Sequence, residues 1–534
     1  MTPSSSKQHW PVALFFLATL LLSACTTSFP LLTPVPSPAA TDTPLPTASA
    51  TSGAVASETI VSDTVILPSA TPIPQTTPLP QVTPQPGGAG VVPAPAPVGT
   101  VVYYESSIDI PTYPYEEFTS NQIDTTFNWP YKRFNLEQFE QARPAPVNRT
   151  YQLIVLENAY LKVLIAPELG GRILQVFHKP SGSSMFYRNF VVKPTRWGIA
   201  NQLGWMAVGG LEWNLPVVEH GYDWGTTWGI IPLQHSENLA TVTVFTPSDG
   251  RVLNASITIG LRAGAAAFEI QPTISNLSDH EVSFDYWHSA ALAPGPGNQI
   301  SGTLRFILPT DQMTIHSTQD PVFPPPSQQV SWPYLPDGRE ISKLGNWQQF
   351  AGMFEYPAAH GPFAAVYDPS VDDGAVRVFP ADVARGSKIF SLGWGDALDS
   401  ANYTDDGSQY VELHGGLAPT FDQHTTLAAG GMISWKETWY PVHGVGGIST
   451  ANEIGSLYVE RKSEGLFVGF YPTRPFDGAI TVSNAEQMLV HSTIQSRPDL
   501  PYAETMIPGQ LPNAKLTIQI EDQSGTVLLS LNNG

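Results

Sequence analysis

The chain has 534 residues, 42% of them hydrophobic and only 13% charged, with a formal net charge of −21. That balance argues against nucleic acid as a partner, since phosphate binding needs basic patches, and it names no substrate by itself. The single cysteine, Cys25, leaves no internal disulfide, so a folded exported domain must stand on its hydrophobic core.

At the N-terminus, Lys7 and His9 precede an apolar run from Val12 to Leu22. The run is too short to span a bilayer as a mature helix and fits the h-region of a signal peptide. Leu22-Ser23-Ala24-Cys25 follows and resembles the bacterial lipobox. By that resemblance Cys25 is the lipidated first residue of an extracytoplasmic lipoprotein. Several acyl chains, at about 0.8 kcal/mol per buried CH₂, anchor it firmly. Residues 1–25 are therefore expected to be signal peptide and lipobox, with the lipid as the only membrane contact. From residue 26 to about 100, Pro, Thr, Ser, Ala and Val dominate and charges nearly vanish. Such a segment lacks the material for a core and is expected to be a disordered spacer, reaching roughly 3.1 Å per residue if extended.

Residues 101–447 read as β. Short alternating or β-branched runs, such as Tyr151–Leu156, Tyr160–Ile165, Thr241–Phe245, Ala255–Ile259 and Phe268–Ile274, are separated by Gly, Pro, Asn or Asp. Helical periodicity is confined to Leu136–Ala142. Many short strands with such turns predict an all-β sandwich or barrel. A boundary falls near Ile448. Residues 448–534 then predict a second set of about seven strands, closing with a hairpin whose turn is Asp522-Gln-Ser-Gly525, which suits a small immunoglobulin-like sandwich.

Several pieces resemble a bacterial family, a domain of unknown function with a galactose-mutarotase-like fold that often precedes tetratricopeptide repeats. They are Glu157–Lys162, Leu169-Gly-Gly-Arg172, Gly209-Gly-Leu-Glu-Trp-Asn214, Gly386-Ser-Lys388, Leu392–Gly395, Asp405-Asp-Gly407, Tyr410-Val-Glu-Leu413 and Trp435–Pro441. The repeats have no counterpart here; the β-rich tail follows instead. The resemblance implies a two-sheet supersandwich with a carbohydrate on its concave face. It extends faintly to aldose 1-epimerases, which use a glutamate and a histidine. Glu412, after the Asp405-Asp-Gly407 turn, takes the place of the base. His288, in Asp285-Tyr-Trp-His-Ser289, takes the place of the acid. His220 and His414 are the candidates for a second family histidine.

The residues themselves point the same way. The stretch GGLEWNLPVVEHGYDWGTTW (209–228) mixes acids, a histidine and aromatics with loop-forming glycines and Pro216. A sugar needs aromatic platforms beside planar hydrogen-bonding groups, so Glu212, Trp213, Asn214, His220 and Asp223 are candidate binding residues. The alternative makes the tryptophans core anchors. In Gln409–His414, strand alternation puts Tyr410, Glu412 and His414 on one face, either a pocket wall or a solvated surface. Arg172 meets a ligand or locks Glu157. No zinc spacing, phosphate loop or Gly-x-Ser-x-Gly motif occurs, so no cofactor is predicted; oxygen-ligated calcium is left open and unmarked.

Three readings follow. One is an epimerase-like enzyme, Glu412 taking the anomeric proton while His288 protonates the ring oxygen. Another is a glycoside hydrolase pairing Glu412 with Glu212 or Asp223. The last is a glycan-binding lipoprotein without chemistry. Carbohydrate is the expected partner in all three.

Overall fold

A computed structural model of the chain describes residues 99–198, 204–357, 359–508 and 515–533. The expected signal peptide, Cys25 and nearly all of the expected spacer lie outside the described residues. Helix Leu136–Ala142 forms where expected, with Asn135 accepting from the Gln138 amide as its N-cap. The predicted runs become the strands Val147–Asn158, Leu161–Ala166, Leu239–Phe245, Leu253–Arg262 and Phe268–Asn276. In Leu253–Arg262 every second side chain up to Ile259 is buried and its neighbour half-buried, as the alternation requires.

These strands build two large sheets. The front sheet has fourteen strands, and its centre runs Ala351–Phe354, Gly386–Ser391, Val411–Gly416, Trp287–Leu292, Leu211–Asn214, Arg172–His178. The back sheet has nine, centred on Leu253–Arg262, Phe268–Asn276, Glu437–His443 and Asp373–Val378. Leu211, Trp213, Leu292, Ile389 and Leu413 of the front sheet share one hydrophobic core with Ile257, Phe268, Val376 and Trp439 of the back sheet. At full burial such side chains each contribute about 1.5–3 kcal/mol. The central front strands are buried on both faces, every residue of Leu211–Asn214, Trp287–Leu292 and Val411–Gly416 being buried.

Val282–Phe284 pairs with Thr425–Leu427, and a separate strand, Trp287–Leu292, enters the front sheet. One expectation is corrected here. The segment 209–228 is not a loop throughout, because Leu211–Asn214 is a central front strand and the loop begins only at Leu215.

Beyond Ile448, two four-stranded sheets enclose a core of their own with Leu457, Val468, Phe470, Ile480 and Ile518. The hairpin Leu516–Asp522 and Val527–Asn533 forms as the sequence predicts. This module is fastened to the larger sandwich through buried polar contacts. Tyr471 Oη lies 3.0 Å from His178 Nε2, and Tyr440 Oη donates to the Asn452 carbonyl at 2.9 Å.

Candidate functional site

The register of four adjacent front strands lines up their charged residues. Glu212 stands opposite Ser289, Ser289 opposite His414, and His414 opposite Lys388. One row of side chains thus crosses the outer face of the sheet. A parallel row on that face holds Ala291, Glu412 and Phe390; another holds Asn214, Trp287, Gly416 and Gly386. The intervening row of Trp213, His288, Gly415 and Ser387 points to the opposite face, because neighbours along a strand alternate.

The loop after Asn214 folds back over this floor. Glu219, His220 and Gly221 adopt φ values of 49°, 67° and 54° in succession, a left-handed run that only glycine tolerates without strain. A Cβ at Gly221 would sit 2.4 Å from the Leu215 nitrogen. The two non-glycine residues each cost of order 1–3 kcal/mol in this conformation. Their side-chain contacts offset it. The His220 ring lies flat on Trp205, centroids 3.9 Å apart, and its Nδ1 is 2.6 Å from Glu212 Oε1. Trp205 Nε1 donates to Glu212 Oε2 at 3.1 Å, and Arg172 Nη2 stands 3.2 Å from the same oxygen. Arg172 is itself fixed by the carbonyls of Leu169, Gly209 and Trp224.

A second chain of contacts holds the other glutamate. His414 Nε2 is 2.7 Å from Glu412 Oε2, His414 Nδ1 is 2.7 Å from Ser289 Oγ, and Asn214 Nδ2 donates to that hydroxyl at 2.7 Å. An ionised carboxylate only accepts, so Nε2 must carry the proton that points at Glu412. Nδ1 of the neutral ring then accepts from Ser289. Further along, Glu219 Oε1 lies 3.5 Å from Lys388 Nζ and 3.4 Å from His316 Nε2, and the Lys388 ammonium sits 4.6 Å above the centre of the Phe421 ring.

The charges differ by environment. Burial raises the Glu412 carboxyl above its ordinary range, against the pull of His220 and Lys388. Burial also acts on Glu212, but there His220 and Arg172 prevail and hold it low. Burial pulls His220 down, yet Glu212 outweighs it and leaves the imidazole raised. His414 is pushed well below the usual imidazole value by burial and by the charges of Lys388 and His220. Glu219 is held at about 2: burial opposes this, but Lys388 and the nearby histidines dominate.

Glu219, His220, His316, Lys388, Glu412 and His414 line one cavity of about 420 Å³, walled by Trp197, Trp205, Phe350, Phe390 and Tyr410. Of the residues singled out in the sequence, Glu412, His220 and His414 meet here, and Tyr410 shares their face. Glu212, Arg172 and Asn214 lie beneath the floor and hold its histidines; Arg172 pairs with Glu212, while Glu157 binds Lys179 instead. Three expectations fail. His288 is buried between the sheets, its Nε2 2.9 Å from Glu437 Oε2, because strand parity turns it away from Glu412. Trp213 shares its row, is buried in the core and donates to the Gly171 carbonyl. Asp223 is locked by Arg251 at 2.6 Å and Trp129 at 3.2 Å, away from the cavity.

Sequence reasoning missed Glu219, His316 and Lys388. Lys388 lay in the matched piece Gly386-Ser-Lys388, and Glu219 stood beside His220 in the 209–228 stretch. His316 carried no signal, since its strand Gln312–Thr318 sits far along the chain. No group of three or more His, Cys, Asp or Glu able to hold a metal ion occurs among the described residues.

Residues 124–438 match the family described as a domain of unknown function, DUF5107. The chain belongs to the DUF5107 family. Residues 450–531 match the second domain of YphG-like proteins. Among solved structures, a TPR-domain containing protein from Parabacteroides distasonis is similar in fold, with a TM-score of 0.53 and 20% identity over 65% of this chain. The match spans 56% of that protein's length. A galactose mutarotase-like protein from Clostridium acetobutylicum gives a TM-score of 0.38 and 12% identity, covering 55% of this chain and 96% of that one. A galactose mutarotase related enzyme from Lactobacillus acidophilus gives 0.37 and 10%, covering 54% and 96%. The larger sandwich thus shares its fold with part of the Parabacteroides distasonis protein, and a further β-sandwich lies at its C-terminal side.

Proposed function

We propose that this DUF5107 chain is a membrane-tethered lipoprotein that binds a sugar in the Glu412 cavity and moves protons at its anomeric centre. The observation that carries this is the meeting, in one aromatic-walled cavity, of a carboxylate and a histidine poised in opposite senses. Glu412 Oε2 is taken by His414, which leaves Oε1 as the oxygen not engaged by the histidine. His220 Nδ1 is taken by Glu212, which leaves Nε2 for a ligand. Beside ionised Glu212 the imidazole is raised and carries its second proton, so it serves as the acid. Glu412 serves as the base. Glu412 accepts the anomeric hydroxyl proton as the C1–O5 bond breaks, His220 protonates O5, and reclosure after rotation at C1 gives the other anomer. His220 takes the role that the sequence suggested for His288. Trp197, Phe350 and Phe390 offer faces for the apolar side of a ring.

A second reading has one specific observation in its favour. Glu219 is held ionised at about 2 while burial raises Glu412 in the same cavity. Two carboxyls pushed apart in this way suit a glycoside hydrolase, with Glu412 as acid and Glu219 as base or nucleophile.

Incubation of the protein with anomerically pure sugars and with oligosaccharides, followed by proton NMR, separates the two. Faster anomer exchange supports the first; a cleaved linkage supports the second. Glu412→Gln abolishes either while sugar binding persists. Full turnover by that variant refutes both.

A further inference from the structure

The cavity does not end at Lys388. Across the floor, the next outer-face row is Asn214, Trp287, Gly416 and Gly386. The Trp287 ring lies against the two glycines, where a Cβ at Gly416 would come within 2.3 Å of it. Phe421 stands edge-on over Trp287, ring centroids 4.8 Å apart at 90°. Its other neighbours are Phe354 at 5.0 Å, His316 at 4.9 Å and the Lys388 ammonium at 4.6 Å. Beyond this aromatic ridge opens a second cavity of about 410 Å³, and His316 lines both.

The lining of the second cavity has the same mixed character as the first. Phe354, Tyr356 and Phe421 supply aromatic surface, while Thr314, Asp422 and Gln423 supply hydroxyl, carboxylate and amide. Asp422 and Gln423 are exposed, and no hydrogen bond between either side chain and another described residue accounts for their presence there. Each cavity falls within the roughly 300–1,000 Å³ that takes a drug-sized ligand, more than one sugar ring needs. Two such cavities over one sheet face, joined at a shared histidine, exceed the demands of a free monosaccharide.

We infer that the ligand is an oligosaccharide whose chain passes over His316, one ring beside Glu412 and the next against Tyr356, Asp422 and Gln423. The inference rests on the Glu412 cavity being a sugar site. The two adjoining cavities carry it: aromatic faces stack on rings, and the planar acid and amide hold adjacent hydroxyls. A single ring leaves half of this surface unused.

The test is calorimetric titration of the full chain with methyl β-D-galactoside and methyl α-D-glucoside, and with lactose, cellotetraose and maltotetraose. At least one oligosaccharide should bind ten-fold or more tightly than its methyl glycoside. The double variant Asp422→Ala, Gln423→Ala should lower that affinity to the monosaccharide level, and Tyr356→Ala should weaken it several-fold. Both leave methyl glycoside binding within two-fold, because neither touches the Glu412 cavity. If oligosaccharides bind no tighter than methyl glycosides, or if the double variant binds them as wild type does, the second subsite is refuted and the first stands. If no sugar of the set binds, both are refuted.

Discussion

Glu437→Gln should destabilise the protein by about 3–5 kcal/mol, although residue 437 is far from any solvent and from the cavity. Glu437 faces four donors in the core between the sheets. Arg377 Nε lies at 2.7 Å, Arg377 Nη2 at 3.0 Å, Trp435 Nε1 at 2.9 Å and His288 Nε2 at 2.9 Å. Arg377 and His288 are fully inaccessible. His288 is pushed down to about 4 by burial and is therefore neutral, so Glu437 is the counter-charge to Arg377. Gln has the same size but no charge, and its amide would turn donors toward donors. Removing one partner of a buried pair costs about 3–5 kcal/mol because the other charge is left unpaired. Two charge-assisted hydrogen bonds at about 1.5–3 kcal/mol each give about 3–6 kcal/mol, which overlaps that range. With a urea m-value of about 3 kcal/mol/M, a loss of about 4 kcal/mol lowers the midpoint by roughly 1.3 M. Tryptophan fluorescence during urea unfolding reads this directly. Arg377→Met with Glu437→Met should recover most of the loss, since apolar replacement of a whole buried pair is often neutral. A Glu437→Gln midpoint within about 0.3 M of wild type would show that Arg377 is not dependent on this carboxylate, and the account of the core would be wrong.

Four further outcomes follow from the cavity, its supports and the core beneath it. Turnover should follow a bell-shaped pH profile: burial raises Glu412, so the acid limb lies above the ordinary carboxylate range, and the raised His220 puts the alkaline limb above the ordinary imidazole value. His220→Gln should lower kcat about 10²–10⁴-fold and remove the alkaline limb; retention of that limb in pH-rate measurements would unseat His220 as the acid. His414→Gln should shift the acid limb, since His414 contacts Glu412; an unchanged limb would show that its contact with Oε2 does not tune the base. Trp213→Ala should cost about 3–5 kcal/mol in urea unfolding, as a core deletion, with no selective loss of sugar binding.

How much of this was legible in the sequence depends on how each residue announced itself. The all-β class was open to reading because strands such as Leu253–Arg262 face core on one side only, and period two survives in their residues. The Gln409–His414 stretch was open for the same reason: Tyr410, Glu412 and His414 do share a face. The central strands were harder. Leu211–Asn214 and Trp287–Leu292 are buried on both sides, so alternation carries no contrast between core and solvent. Trp213 and Asp223 drew attention as polar-aromatic company in a glycine-rich segment, yet the same composition serves a core anchor and a buried ion pair. His316 is joined to Glu219 across almost a hundred positions by sheet order alone, which no local pattern records.

The case of His288 shows why parity matters more than motif here. His288 and Ser289 are adjacent in sequence, and both sit opposite residues of Val411–Gly416. Ser289 faces outward and donates a hydrogen bond to His414; His288 faces inward and binds Glu437. A shift of one residue in register would exchange them, carrying His288 into the cavity and Ser289 into the core. Gly415 makes room for the observed register, because any side chain there would collide with the His288 ring at 2.1 Å and with Arg377 at 2.3 Å. Glu437, paired with Arg377, binds His288 on the core side, the parity that leaves Glu212, Ser289, His414 and Lys388 in one outward row.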